Sequence, residues 1–258
     1  MLIDTHTHLY LEEYKEDRKE VIKNAIDKHV KYMLLPSIDS DTIEAQLLLC
    51  KEFPKNCFPM AGLHPTSVKE NYKEELKRVE QELEKKDIYI GIGEIGIDLY
   101  WDKTYAKEQK IALRHQLELA VHYDLPVAIH SRESFPEIFN VIDEFNNPKL
   151  KGIFHCFSGD ENDAKRIIDW GFKMGIGGVL TFKKSNLPEI VKNIDLKHLV
   201  LETDSPFLTP MPFRGKRNQS AYVTYIAQKM AEIKECSLEE VAKVTSNNAL
   251  ELFQIEDI

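Results

Sequence analysis

The sequence contains few cysteines, and their spacing forms no paired motif. Cys50, Cys57, Cys156 and Cys236 are the only four among 258 residues, and no two of them make a CxxC pair. Small secreted domains held by disulfides carry cysteines at much higher density, whereas scattered cysteines are typical of free thiols in a reducing compartment. The cysteine content therefore excludes a disulfide-stabilised scaffold and predicts a cytoplasmic protein.

Long apolar segments are also absent. No run approaches the roughly 18 apolar residues that a membrane helix requires. The first six residues, Met1–His6, already include Asp4 and His6, which leaves no room for the apolar region of a signal peptide. The sequence therefore predicts a protein without a membrane segment or a secretion signal.

Positive charge is scarce as well. Lys and Arg number 34 against 43 Asp and Glu, which gives a formal net charge of −9. Such a balance disfavours tight non-specific binding of nucleic acid, because phosphate neutralisation normally needs a basic surface. A phosphate substrate is still compatible, since a metal centre with a few nearby basic side chains can make one cleft positive on an acidic body.

No low-complexity segment or flexible linker interrupts the chain. Instead, short apolar runs alternate eight times with longer amphipathic stretches. Near-continuously apolar runs are typical of parallel strands that helices cover on their outer face. The predicted strands are Leu2–Asp4, Tyr32–Pro36, Phe58–Gly62, Ile88–Ile92, Pro126–Ile129, Gly152–Phe154, Phe172–Ile176 and Leu199–Glu202.

The amphipathic stretches carry apolar residues at helical spacing, and strand–helix alternation without tandem strands indicates parallel βαβ units. Eight such units form a closed (β/α)8 barrel, which typically needs about 250 residues. The predicted fold class is therefore α/β, a (β/α)8 TIM barrel that spans residues 1–258 as one domain. An additional C-terminal helix is predicted over Ser237–Phe253.

Histidines and carboxylates stand where the predicted strands end. In a parallel barrel these ends carry the active site, whatever the chemistry. Five of the nine histidines occupy such positions, together with one glutamate and one aspartate. They are His6 and His8 after the first strand, His64 after the third, Glu94 after the fourth, His130 after the fifth, His155 after the sixth and Asp204 after the eighth.

These residue types suit a metal centre. His6 and His8 alternate on one strand, so their rings can face the barrel mouth together and offer two ring nitrogens to one ion. Glu94 ends an apolar run, where a buried carboxylate needs a cation or hydrogen-bond donors. Together with His130, His155 and Asp204 they supply four imidazoles and two carboxylates, enough for two metal ions with positions left for water and substrate.

The motifs around these residues resemble the TatD family of metal-dependent deoxyribonucleases, within the wider amidohydrolase-like barrels. The resemblance runs through nearly the whole chain, with its pieces in order. They are Ile3–Leu9 (IDTHTHL), Gly62–Pro65 (GLHP), Gly91–Tyr100 (GIGEIGIDLY), Ile129–Arg132 (IHSR), His155–Gly159 (HCFSG), Leu201–Pro206 (LETDSP) and Arg217-Asn218.

The resemblance implies two divalent cations per subunit, Zn²⁺, Mn²⁺ or Mg²⁺. One ion is assigned to His6, His8, Glu94 and Asp204, and the other to His130, His155 and Glu94 as the bridging ligand. The sequence departs from the family at Thr66, where a histidine is frequent, and at Gln219-Ser220, where Glu-Pro is usual. Both positions lie in predicted loops that shape the substrate groove.

The expected reaction is phosphodiester hydrolysis by metal-activated hydroxide. Asp204 and Glu94 are the predicted catalytic residues: Glu94 bridges the ions, and Asp204 binds metal and accepts the proton of the attacking water. Arg132 and Arg217 are predicted to hold phosphate oxygens. His64 and Tyr100 are predicted to orient the substrate.

The predicted substrate is DNA, entering the barrel mouth as a single strand or a frayed end for exonuclease cleavage, with no obligate protein partner. One alternative is a metal-dependent amidohydrolase or esterase, such as a D-aminoacyl-tRNA deacylase, because the same hydroxide attacks carbonyl carbon. Many amidohydrolases bridge their metals with a carboxylated Lys after the fourth strand, where this chain has Glu94. Another alternative is a non-catalytic metal-binding protein, which would have a closed coordination shell.

Overall fold

The apolar runs of the sequence form eight short parallel strands. In the computed structural model, which describes residues 1–85 and 87–256, most strand residues are buried. The strands are β1 Leu2–Asp4, β2 Val30–Pro36, β3 Cys57–Met60, β4 Ile92–Asp98, β5 Val127–Arg132, β6 Gly152–Phe154, β7 Lys173–Ile176 and β8 Leu199–Leu201.

Helices follow the strands and cover the sheet from outside, since each turns an apolar stripe inward. They are α1 Arg18–Asp27, α2 Ile43–Glu52, α3 Tyr72–Leu83, α4 Ala106–Tyr123, α5 Phe135–Phe145, α6 Glu161–Asp169, α7 Leu187–Lys192, α8 Val223–Lys234 and α9 Leu238–Phe253. In the described ranges, 1–85 and 87–256, none of the helices combines the length and the apolar character needed to cross a lipid bilayer.

The strands close into a barrel through two seams. β1, β2 and β3 pair in that order, and β4 to β8 pair in sequence order. At one seam the N–H of Ala61 donates to Gly91, and the N–H of Gly93 donates back to Ala61. At the other seam the N–H of Thr5 donates to Leu201 at 3.0 Å. The predicted (β/α)8 barrel is thereby confirmed.

The fourth strand differs from its predicted bounds. The prediction placed it at Ile88–Ile92, whereas β4 runs from Ile92 to Asp98. The apolar-run criterion stopped too early because glycines and charged residues, which strands usually avoid, follow Ile92. Gly96 is required by close packing: its φ is 146°, and a Cβ there would fall on the carbonyl of His130 in β5. As a consequence, Glu94 lies inside β4 rather than beyond its end.

The strand β5 is also longer than predicted. It extends to Arg132 instead of ending at Ile129, so His130 lies within the strand. Its register against β4 pairs His130 with Gly96 and Arg132 with Asp98. The neighbouring strands β4 and β5 therefore carry polar side chains up to the mouth of the barrel.

The helix α9 closes the opposite end of the barrel, as the prediction of an extra C-terminal helix requires. Ala249 and Phe253 pack into a cluster with inward-facing strand residues. Asn248 donates its amide hydrogens to the carbonyls of Leu196 and Leu199, and the Ser246 hydroxyl donates to Met1, all at the starts of strands. The amino end of the barrel is therefore filled, and polar side chains gather at the carboxyl end.

Candidate metal centre

The carboxylate of Glu94 is the focus of the polar cluster at the carboxyl end. Its side chain is 3% exposed, and five imidazole nitrogens lie within 3.5 Å of its two oxygens. His6 Nε2 (3.0 Å) and His8 Nε2 (3.5 Å) face Oε2, whereas His64 Nε2 (3.2 Å), His130 Nδ1 (2.7 Å) and His155 Nε2 (2.9 Å) face Oε1.

This donor set fits divalent cations. A carboxylate offers about four lone-pair sites, and five ring nitrogens converge on the carboxylate of Glu94. Hydrogen bonding alone cannot satisfy all five nitrogens, so the arrangement suits ions placed between the rings and the carboxylate. Imidazole nitrogen and carboxylate oxygen are also common ligands of Zn²⁺ and related ions.

Asp204 joins the cluster from the loop after β8. Its Oδ1 lies 3.6 Å from His8 Nε2 and 4.0 Å from His6 Nε2. The seam between β1 and β8 places it there, since the N–H of Asp204 donates to the carbonyl of His6 at 2.9 Å. His6, His8 and Asp204 form one compact group of candidate ligand atoms; His64, Glu94 and His130 form another.

Hydrogen bonds at the far ring nitrogens fix the orientation of two histidines. The hydroxyl of Tyr10 donates to the carbonyl of Pro36 at 2.7 Å and lies 2.9 Å from His8 Nδ1. Tyr10 therefore accepts the Nδ1 proton of His8, which leaves Nε2 of His8 with a free lone pair. His130 Nε2 lies 2.9 Å from a carboxylate oxygen of Asp98, so its proton is directed to Asp98 and Nδ1 faces Glu94.

His64 has the opposite arrangement. Its Nδ1 accepts the backbone N–H of Thr66 at 3.1 Å and lies 2.7 Å from the Thr66 hydroxyl. A neutral imidazole that accepts at Nδ1 carries its proton on Nε2. His64 therefore presents an N–H, rather than a lone pair, toward Glu94.

The buried charges shift the protonation equilibria of the cluster. Burial opposes ionisation of Glu94, but the neighbouring His64, His155 and His6 hold the pKa of its carboxyl well below the usual range. Burial lowers the pKa of His6 and of His64. Burial also disfavours protonation of His155, but Glu94 and Glu202 raise its pKa well above the usual value. A carboxylate ringed by competing imidazoles is an environment that a cation stabilises.

Of the predicted substrate-binding residues, Tyr100 and Arg132 lie together at the rim. The guanidinium of Arg132 lies 3.9 Å from the ring centroid of Tyr100 and 5.1 Å from that of Trp101. Both rings are largely exposed, at 50% and 68%. A cation held against two accessible aromatic rings is an arrangement that single-stranded nucleic acid can contact through phosphate and base.

Arg217 lies elsewhere. It makes a two-point ion pair with Asp17 and donates to the carbonyl of Glu13. Its guanidinium also packs 4.6 Å from the ring of Tyr14, and this pairing lowers the pKa of Asp17. The structure therefore engages Arg217 with the loop after β1, and its predicted contact with phosphate stays a prediction.

Two residues that orient the histidines escaped the sequence analysis as functional positions. Asp98 lies within the motif Gly91–Tyr100 and Tyr10 directly follows the motif Ile3–Leu9, yet neither was predicted to have a role. A signal existed for Asp98: residues i, i+2 and i+4 of a strand share one face, so extending the strand past Ile92 places Asp98 on the face of Glu94. Tyr10 follows His8 by two residues, but its contact with Pro36 depends on the fold.

The fold and the site together define a class. A parallel eight-stranded barrel with imidazoles and carboxylates gathered at its carboxyl end has the architecture and the donor set of metal-dependent hydrolases. The model of the TatD-related DNase family matches residues 3–254, and the chain belongs to this family. The resemblance seen in the motifs is thereby confirmed.

Individual relatives agree with this membership. YabD of Bacillus subtilis (strain 168), described as an uncharacterized metal-dependent hydrolase, is 38% identical over 256 residues, which cover 99% of this chain and 100% of YabD. The crystal structure of YjjV, a TatD homologue from Escherichia coli K12, matches with a TM-score of 0.93 at 28% identity, covering 99% of this chain and 98% of YjjV. A TatD family hydrolase from Entamoeba histolytica shares the fold, with a TM-score of 0.86 at 24% identity over 97% of both chains.

Proposed function

We propose that this protein is a deoxyribonuclease that uses two divalent cations to hydrolyse phosphodiesters, as an exonuclease on single strands or frayed ends. The observation that carries the proposal is the division of Glu94: one oxygen faces His6 and His8, and the other faces His130 and His155. A carboxylate in this position suits the bridge between two ions.

The ligand sets follow from this division. His6, His8 and Asp204 would hold one ion, His130 and His155 the other, and Glu94 both. When bound, the pair of cations would lower the pKa of a water molecule and stabilise charge on the departing oxygen of a phosphodiester. Zn²⁺, Mn²⁺ and Mg²⁺ are the candidates, and the imidazole-rich donor set favours Zn²⁺.

The side chains supply proton handling and orientation. Asp204 is the proposed base, because its side chain is 14% exposed and reaches the mouth while the Glu94 carboxylate is enclosed by histidines. His64 is the proposed hydrogen-bond donor to a phosphate oxygen, since the contact from Thr66 leaves its proton on Nε2.

DNA is the proposed substrate for two reasons. The family is described as TatD-related DNases, and the rim presents Arg132 beside Tyr100 and Trp101, a guanidinium for phosphate with ring faces for bases. A single strand or a free end reaches ligands at the bottom of a barrel mouth more easily than an intact duplex does.

The cytoplasmic location expected from the cysteines also stays a prediction. All four cysteines are free thiols in the structure.

The proposal is tested by hydrolysis of 5′- and 3′-labelled single-stranded DNA. Protein freed of metal is reloaded separately with Zn²⁺, Mn²⁺ or Mg²⁺ and compared with Asp204→Asn. Stepwise shortening by wild type that is lost in Asp204→Asn is the expected result, and the label that disappears first gives the polarity. The matched control is Asp195→Asn, because Asp195 caps a turn before β8 with its side chain 62% exposed, and asparagine caps equally well.

Two results would redirect the proposal. Intact DNA in the presence of bound metal would reject the nuclease, and aminoacyl-tRNA esters would then be the next substrate, since an identical site serves the deacylase alternative. Equal activity in Asp204→Asn and wild type would reject the assignment of Asp204 as base.

A further inference from the structure

A second buried carboxylate lies behind the cluster. Glu202 directly follows β8, and its side chain is fully buried. Its Oε1 accepts the backbone N–H of Cys156 at 2.5 Å and lies 3.3 Å from Nδ1 of His155. His155 thus has one ring nitrogen toward Glu94 and the other toward Glu202. A buried carboxylate needs such donors to offset its desolvation.

Three polar atoms in this region have unused bonding capacity. Among residues 1–85 and 87–256, His6 Nδ1, His155 Nδ1 and Glu202 Oε2 are buried without a hydrogen bond of good geometry. The rings of His6 and His155 stack with centroids 3.7 Å apart and planes at 15°. The two histidines and Glu202 also form a group whose candidate ligand atoms all lie within 4.8 Å of one another.

The space for this carboxylate depends on Gly175 in β7. A Cβ at position 175 would fall on Oε2 of Glu202. Glycine inside a strand weakens the strand and often marks a place where another group approaches the backbone closely. The barrel wall therefore accommodates Glu202 at the cost of a side chain in β7, on the side of His155 that faces away from Glu94.

We propose that Glu202 is a positioning residue that holds the Nδ1 protons of His155 and His6, so that both Nε2 atoms stay free to bind metal. Oε1 of Glu202 lies 3.3 Å from Nδ1 of His155, a separation at which a small turn of the ring completes the hydrogen bond that the present angle does not make. A buried water between Glu202 and Nδ1 of His6 would complete the second contact, because such a water spans polar atoms too far apart for a direct bond. This inference rests on the proposed metal centre, and it assigns to Glu202 a function that no motif gave it.

The chemistry explains why a carboxylate is needed there. A neutral imidazole has one N–H and one lone pair, and the nitrogen that loses its proton is decided by the partner of the other nitrogen. Carboxylates behind ligating histidines fix the tautomer and the ring orientation, and their removal typically costs about 10–100-fold in metal affinity. Asp98 has the corresponding position behind His130. Glu202 serves two stacked rings from one carboxylate.

The decisive measurement is ¹⁵N NMR of the histidine rings in zinc-loaded wild-type protein, with signals assigned by single histidine substitutions. We expect His6 and His155 to carry protons on Nδ1 and zinc on Nε2. Zinc bound with either ring protonated on Nε2 would overturn the inference while leaving the metal centre intact. Protein that binds no zinc would overturn the metal centre and this inference together.

Two variants test the same group from different strands. Glu202→Gln keeps the shape but removes the charge, and Gly175→Ala pushes a methyl group against Oε2. Both are expected to lower zinc affinity about 10–100-fold and to shift the Nδ1 signal of His155. The control is Glu75→Gln, a buried carboxylate that contacts Ser40 instead of a histidine. Unchanged zinc affinity and unchanged ring signals in folded Glu202→Gln would refute the positioning role.

Discussion

The backbone N–H of Thr66 donates to Nδ1 of His64 at 3.1 Å, and the hydroxyl of the same threonine lies 2.7 Å from that nitrogen. Two donors of one residue thus converge on a single ring atom. The relationship separates His64 from His8, whose Nδ1 instead faces an acceptor. It also gives a structural meaning to Thr66, the position where this chain departs from the family.

Replacing Thr66 tests this separation. In Thr66→Val the hydroxyl is lost and the N–H contact is kept, so the tautomer of His64 is held less firmly. A hydrogen bond contributes about 1 kcal/mol net, which corresponds to about a fivefold loss in kcat/KM for DNA. Metal stoichiometry should stay unchanged, and Thr66→Ser should recover most of the activity. A loss of metal in Thr66→Val would contradict the assignment of His64 as a donor.

The carboxylate behind His130 gives a second prediction. Asp98 accepts from His130 Nε2 at 2.9 Å and also from the backbone N–H groups of Tyr100 and Trp101. In Asp98→Asn the acceptor is weaker, and metal affinity measured by calorimetry should fall about 10–100-fold at one of two sites. Asp102→Asn is the control in the same loop, because its side chain pairs with Lys69 near the surface. An equal loss at both sites would argue against a specific effect on His130.

The sequence was sufficient for the parts of the fold that depend on apolar runs. The first and sixth strands were predicted with their observed bounds, Leu2–Asp4 and Gly152–Phe154, because each is a short, fully buried run that a polar residue follows directly. The fourth strand was predicted with the wrong bounds, because glycine and charged residues have low strand preference. Gly96 is nevertheless required in β4, since only a glycine fits so close to β5. In β4, packing against β5 outweighs the low strand preference of these residues.

The orienting contacts of the site could not be predicted in the same way. The residues that converge on Glu94 were found because strand ends share one barrel mouth, a rule of the fold. Hydrogen bonds that set the tautomer of a ring depend on distances below 3.5 Å that the fold decides, both for distant residues such as Asp98 and His130 and for near neighbours such as His64 and Thr66. The ion pair of Arg217 with Asp17 joins positions about 200 residues apart, and the sequence pattern offered no reason to pair them.

Two neighbouring loops should guide a single strand beyond the metal centre. The loop after β7 carries the exposed Lys183 and Lys184, and the loop after β8 carries Arg214, whose guanidinium lies 4.0 Å from the ring centroid of Phe182. The double substitution of Lys183 and Lys184 by Gln should lower the affinity for single-stranded DNA, which fluorescence anisotropy measures. The slope of log affinity against log salt should fall by about 0.7 for each lost phosphate contact.

The control for this prediction keeps the charge change and moves it to the closed end of the barrel. Lys28 and Lys197 precede β2 and β8, so their replacement by Gln alters net charge without altering the mouth. Equal slopes of log affinity against log salt for the two double variants would show that DNA binding depends only on the net charge of the protein. A smaller slope confined to the Lys183 and Lys184 variant would identify the two loops as the phosphate path.

The packing of α9 should govern stability without affecting the site. Phe253 is 3% exposed and fills the amino end of the barrel together with inward-facing residues such as Tyr32 and Met60. Phe253→Ala should lower the free energy of unfolding by about 3–5 kcal/mol, because a buried aromatic ring is replaced by a cavity. Urea unfolding in the presence of a chelator measures this loss of unfolding free energy without the stabilisation that bound metal adds. Leu238→Ala, in the same helix but 45% exposed, should change the free energy of unfolding far less.

The polar cluster around Glu94 lies at the opposite end of the barrel from α9. Metal affinity per folded molecule should therefore be unchanged in both variants. A loss of metal affinity in Phe253→Ala would mean instead that α9 holds the strands in the register on which the cluster depends.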